Sequence, residues 1–370
     1  VAILVTGIAG GLAQRVAAFL LERGEDVVGV DYRNATIVVE GARPIVRYRA
    51  AYDKTAIEDV FRRHRFSAVL HLGRVGNLSE RIEKRFDLNV VGSQKLMQLC
   101  VDQGVKTLVV LSTFHIYGAH ARNHTPISED DPLRAGTRFP EIADAIQLDN
   151  MASTWVYRHR EVRTVVLRPT NIVGPHINNT MSQFLRLPRV PYLAGFNPMV
   201  QFIAEDDLRD AIVATLDGDA WGIFNVAGPT AIPWRTALEL AGARGIPLPA
   251  QLVEVYLRAF SSFPAYLAQF YKYPCVITDA AFRRAFGWRP RIAIEETLRA
   301  TVAATRRRGT HVARDDAGDE ARDESPARAA GAGAPRADDA RGGTDGSDGT
   351  DAPDGRDRDN PDGEPRAHAP

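Results

Sequence analysis

The chain has 370 residues, 45% of them hydrophobic, and a formal net charge of +0 from 46 basic and 46 acidic side chains. That length exceeds one ordinary hydrophobic core and calls for one large domain with an appendage, or two domains. Two cysteines, Cys100 and Cys275, exclude a disulfide scaffold and a clustered-cysteine zinc site, and fit a reducing, cytoplasmic setting.

The first segment, Val1-Ala2-Ile3-Leu4-Val5, is too short for the apolar region of a signal peptide and has no basic leader. It lacks Met and opens inside an apolar run, which points to missing residues upstream. Residues 1–6 read as a strand, followed by a glycine-rich turn and a helix with Leu12, Val16, Phe19 and Leu20 on its apolar face. Gly24 closes that helix, and Asp26–Asp31 is the next strand. Pro44–Tyr48 is a weaker third strand, and Ile57, Val60 and Phe61 mark a helix. Ala68–Gly73 is a buried strand, followed by a long helix with Ile82, Phe86, Val90, Ser93, Met97 and Cys100 on one stripe. Thr107–Ser112 and Thr164–Leu167 complete six strands. Continuous apolar strands alternating with helices indicate an α/β fold: a doubly wound parallel Rossmann sheet over residues 1–175.

Beyond Pro175, prolines at 188, 191, 198, 229, 233, 247 and 249 break the rhythm. A smaller C-terminal substrate lobe is expected over 176–308, part of it returning to the sheet. Its aromatic run, Tyr256 to Tyr273, reads as helix packing within that lobe or at a subunit contact; Arg258 and Lys272 alone are too few for the basic face of a membrane-surface helix. The final segment, 309–370, holds 16 acidic and 8 basic residues and, after Val312, no Val, Ile, Leu, Met, Phe, Trp, Tyr or Cys. With nothing to bury, it reads as a disordered acidic tail. The body carries 38 basic and 30 acidic residues, but the Arg306-Arg307-Arg308 run has no aromatic platform beside it, so nucleic-acid binding is not expected. No apolar run reaches the ~18 residues of a membrane helix.

Thr6-Gly7-Ile8-Ala9-Gly10-Gly11-Leu12-Ala13 lies between the first strand and the first helix. A sharp turn and close approach of backbone N–H groups to a pyrophosphate need small residues there; Gly7, Gly10 and, at the helix–strand contact, Ala13 supply them. Asp31 ends the second strand 18 residues beyond Ala13, where a carboxylate would accept the adenosine ribose hydroxyls. Asp31 favours NAD over NADP; Arg33, two residues on, leaves NADP open.

Further motifs follow in order: His71-Leu72-Gly73, Asn89, Ser112-Thr113 with Tyr117-Gly118, Leu167 to Pro175 (LRPTNIVGP), Gln201–Leu208, Phe224–Gly228 and Phe286–Pro290. Over residues 1–303 the series resembles the extended short-chain dehydrogenase/reductases, in their NAD-dependent epimerase/dehydratase branch. The resemblance implies cofactor contacts at Gly7, Gly10, Asp31, Leu72, Gly73, Arg74, Ser112, Pro169 and Thr170, with Asn171 facing the substrate.

The departures from that family are specific. Ala50 and Ala51 stand where an acidic residue usually touches the adenine, and Arg74 introduces a charge on the nicotinamide side. Gln201 or Val200 replaces an arginine that often grips a diphosphate. The family's Tyr-x-x-x-Lys pair, in which the ammonium makes a phenolate accessible, is missing. No lysine occurs between Lys106 and Lys272, and Tyr157 is followed four residues later by Glu161. Thr113 fits the residue that orients the substrate oxygen. His115 is the candidate acid/base, with an imidazole expected to titrate near pH 6–7; a packed histidine is the plainer alternative. Asp144 and Asp149 lie on the helix that should carry the pair, and a solvated face accounts for them equally well. His71 and His176 lack partners for a metal site.

The expected function is therefore an NAD(P)-dependent oxidoreductase acting on an undetermined carbonyl or alcohol, with a non-catalytic dinucleotide sensor or scaffold as the alternative. The expected partner is a small molecule, with a homodimer left open.

Overall fold

In a computed structural model of the chain, the structure describes residues 1–33, 45–51, 55–76, 80–249, 252 and 266–304. The acidic tail and residues 256–265 of the aromatic run lie outside the described residues. Seven strands form the central sheet: β1 (Ala2–Thr6), β2 (Val27–Asp31), β3 (Val46–Arg49), β4 (Phe66–His71), β5 (Thr107–Leu111), β6 (Arg163–Pro169) and β10 (Gly222–Val226). Their order is β10-β6-β5-β4-β1-β2-β3, with every pair parallel. Six follow the sequence reading; the seventh comes from beyond Pro175 and pairs with β6 through Phe224 opposite Leu167.

Alternation along β1 serves two layers. Ile3 and Val5 pack with α1 (Gly11–Glu22) and α7 (Glu205–Asp217), whereas Leu4 joins Ile57, Met97 and Leu148 on the other face. Helices on both faces explain why the strands read as unbroken apolar runs. After β1 the chain lays β2 and β3 to one side and β4, β5 and β6 to the other. The order reverses between β1 and β4, leaving a crevice at the strand C-termini where α/β sheets bind ligands.

The long helix after β4 departs from the expected stripe. It consists of α3 (Ile82–Phe86), a π-helical turn (Asp87–Val91) and α4 (Gly92–Asp102). Val90, Ser93, Met97 and Cys100 are buried, but Ile82 and Phe86 are 50% and 42% exposed. A π turn takes in an extra residue and rotates the preceding segment off the common face.

A second cluster, containing Phe184, Phe202, Trp234 and Tyr271, fills the C-terminal region. There β7 (Asn171–Val173), β9 (Met199–Ala204) and β11 (Ala231–Pro233) form a three-stranded sheet, and β8 (Arg189–Leu193) pairs in parallel with β12 (Arg244–Leu248). No helix among the described residues is long and apolar enough to cross a membrane.

Candidate active site

The turn after β1 requires its glycines. Gly7 has φ +72°, and a Cβ there would lie 2.4 Å from Gly73 Cα. Gly10 precedes α1 without a side-chain cap, and the first turn of α1 has no acidic residue. Its leading N–H groups therefore face the crevice with the positive end of the helix dipole behind them. Gly11, which the sequence reading passed over, is as constrained: a Cβ there would stand 2.0 Å from the carbonyl oxygen of His176. His176 is held by Glu205, which accepts its backbone N–H at 3.0 Å and contacts Nδ1 at 2.5 Å. The doubled glycine at a helix start was the available signal. Ala13 is buried in the sheet–helix core and lines neither cavity of the crevice.

Below the turn, Thr6 and His71 fix the loop carrying Gly73. The Gly73 N–H donates to Thr6 Oγ1 (3.2 Å), which meets His71 Nδ1 (2.8 Å); His71 Nε2 meets Ser93 Oγ (2.7 Å), which donates to the Asn89 carbonyl (2.7 Å). Burial lowers the His71 pKa to about 4, so this chain of bonds holds a neutral imidazole.

At one end of the crevice, a pocket of about 70 Å³ is lined by Gly7, Asp31, Arg33, Gly73 and Arg74, among others. Asp31 is buried and its oxygens are engaged: Oδ2 accepts the Ala9 N–H at 3.0 Å, and Oδ1 accepts the Arg33 N–H at 2.9 Å. The Arg33 guanidinium adds contacts of 3.1 and 3.2 Å. A ribose at Asp31 must therefore share the carboxylate with Arg33.

A cavity of about 470 Å³ runs from this end to the opposite one. Its walls include Gly10, Arg33, Leu72, Arg74, Ser112, Thr113, His115, Pro169, Thr170 and Asn171. Every candidate residue except Ala13 thus lines one cavity or the other. Thr170 Oγ1 is buried without a partner among the described residues. Asn171 Nδ2 donates to the Gln201 carbonyl at 2.9 Å. Gln201 itself is buried and spent on Ile277, donating to its carbonyl (3.0 Å) and accepting its N–H (2.8 Å). The bare helix end, the cradle that a Cβ would fill and the orphaned Thr170 hydroxyl fit a dinucleotide.

Thr113 Oγ1 lies 2.9 Å from His115 Nδ1. The near-neutral imidazole expected from sequence is not found: burial, aided by the positive charge of Arg74, lowers the His115 pKa to about 3. The side chain is neutral at pH 7, a hydrogen-bond partner and not a proton store. Tyr117 is not a substitute, since it is buried, donates to Asn225 Oδ1 (2.8 Å) and accepts from Arg168 (2.9 Å), and burial raises its pKa to about 12.

The helix α5 (Ala143–Arg158) carries carboxylates of buried ion pairs in place of a Tyr-x-x-x-Lys pair. Asp144 and Asp149 are 2% and 0% exposed, which corrects the solvated-face alternative. Asp144 pairs with Arg85 of α3 and accepts from Asn89 Nδ2 at 2.5 Å. Asp149 accepts Ser112 Oγ (2.5 Å) and two guanidinium bonds from Arg168 (3.0 and 2.6 Å). Sequence gave no sign of either partner, because Arg85 and Arg168 come from distant elements. Tyr157 is 59% exposed, away from the cavity.

A doubly wound parallel sheet, with a glycine turn and a crevice at the strand reversal, defines a dinucleotide-binding type of α/β protein. Residues 3–227 match the model of the NAD dependent epimerase/dehydratase family, and the chain belongs to that family. It is 26% identical over 326 residues to a UDP-glucuronate 4-epimerase of Thermodesulfobacterium geofontis, a match covering 81% of this chain and 94% of that one. An uncharacterized protein of Mycobacterium tuberculosis is 26% identical over 166 residues, but the match spans only 44% of either chain. The UDP-glucose 4-epimerase of Thermus thermophilus, solved in complex with NAD, has a TM-score of 0.66 at 22% identity, covering 83% of this chain and 99% of that one.

Proposed function

We propose that the chain is an NAD-binding oxidoreductase of the epimerase/dehydratase type, acting at a carbinol or carbonyl of a sugar-like substrate without the Tyr–Lys pair. The observation that carries this reading is the 470 Å³ cavity linking the Arg33 end, past the glycine turn, to Thr113. In this reading Asp31 holds the adenosine ribose, Gly7, Gly10 and the α1 terminus hold the pyrophosphate, and Ser112, Pro169 and Thr170 line the nicotinamide end. Bound there, a nicotinamide supplies a hydride acceptor and donor. Thr113 orients the substrate oxygen, its own hydroxyl held by neutral His115. Asn171 lies on the substrate side. The relatives named for UDP-sugars support a sugar substrate, while Gln201, locked onto Ile277, offers no cation to a diphosphate.

A second reading rests on the buried Arg85–Asp144 and Arg168–Asp149 pairs: a dinucleotide-binding sensor or scaffold that has exchanged catalytic side chains for structural ones. Titrating purified protein with NADH and NADPH, then identifying co-purified metabolite by mass spectrometry, tests both. A bound sugar derivative with cofactor binding supports the enzyme, and cofactor binding with no co-purified sugar derivative supports the sensor.

A further inference from the structure

The C-terminal region brings a tyrosine to the cavity that the sequence reading assigned to packing. Tyr266 lines the same wall as Thr113 and His115. Its ring packs 5.5 Å from Phe139 and edge-on to His115 at 6.1 Å. Its hydroxyl makes no hydrogen bond to any described residue. Arg74 also lines the cavity, has no ion-pair partner among the described residues, and exerts its field on both His115 and Tyr266.

We propose that Tyr266, with Arg74 lining the same cavity, restores from a different element the phenol–cation pair that α5 lacks, and that Tyr266 donates the proton to the substrate oxygen. This rests on the cofactor reading above. In the reducing direction the hydride from a dihydronicotinamide forms the new C–H bond at the carbonyl carbon. The carbonyl π pair moves to oxygen, and the oxygen takes the phenol proton, leaving a phenolate that the Arg74 guanidinium stabilises. The reverse direction returns that proton to the phenolate. Four charged groups act on the phenol: Arg74 and Arg85 favour its ionisation, and Glu141 and Asp144 oppose it. Burial outweighs them, raising the pKa of the ligand-free phenol to about 12 and keeping it a proton donor. A cationic nicotinamide nearby would favour the phenolate.

The test replaces Tyr266 with 3-fluorotyrosine, whose phenol ionises at lower pH and whose fluorine reports the ionisation by NMR. The midpoint is measured in protein alone and saturated with NAD or NADH, in wild-type and Arg74→Gln backgrounds. The expected result is a midpoint about one pH unit lower with NAD than with NADH, and a rise of similar size in Arg74→Gln. A midpoint indifferent to the coenzyme's charge while both coenzymes bind overturns the assignment and spares the cofactor reading. If neither coenzyme binds, the cofactor reading and this role fall together, and the Arg74→Gln arm then reports only whether the two side chains are paired. Tyr266→Phe, which keeps the ring packing, should leave NADH affinity within about twofold; a larger loss would show that the phenol serves binding and not proton transfer.

Discussion

Asp144, on the helix α5 that lacks a phenol–ammonium pair, faces Arg85 inside the protein core, their side chains 2% and 4% exposed. The carboxylate is completed by Asn89, whose side-chain oxygen Oδ1 accepts the Val75 N–H at 2.8 Å and whose Nδ2 donates to the Val75 carbonyl at 3.1 Å. The ion pair thereby fixes the loop after β4, which carries Gly73 and Arg74 to the cavity.

Removing one member of such a pair leaves the other charge buried. Asp144→Ala should cost about 3–5 kcal/mol of stability, measured by urea unfolding. A loss below 1 kcal/mol would show that Arg85 finds water or another partner when Asp144 is absent.

Asp31 gives a prediction about coenzyme choice. Asp31→Ala removes charge-assisted hydrogen bonds to ribose and should weaken NADH binding by about 1.5–3 kcal/mol. NADPH should lose much less, or gain, because a repelling charge disappears and Arg33 is released. Equal weakening of both, measured by fluorescence titration, would make Asp31 a structural support for the Ala9 turn.

Stability should also depend on pH through His71. Its folded-state pKa, about 4, lies below the ordinary value of 6.5, so between those values the unfolded chain binds more protons. Stability from this group is fully present above pH 6.5 and is lost as pH falls toward 4, by roughly 3 kcal/mol in all. Comparing the wild type with His71→Asn over that range isolates the contribution. Parallel curves for the two proteins would contradict it.

Much of the scaffold was legible because it rests on local patterns. Unbroken apolar strands, the turn from Thr6 to Ala13 and Asp31 at a strand end state the sheet and its crevice directly. What stayed hidden depends on tertiary meetings. The π turn at Asp87–Val91 turned Ile82 and Phe86 outward against the period. The burial of Asp149 follows from Arg168, which arrives on β6. The titration of His115 is set by burial and by Arg74 from the loop after β4. Tyr266 looked like one aromatic among many until the fold placed it on the cavity wall. Spacing alone carries none of these relationships.

Titrating folded wild-type protein with NADH and following nucleotide fluorescence asks whether the crevice is a dinucleotide site. Saturable binding of one NADH per chain, weakened by Asp31→Ala, is expected. Folded protein that shows no saturable binding of NADH or NADPH would contradict it.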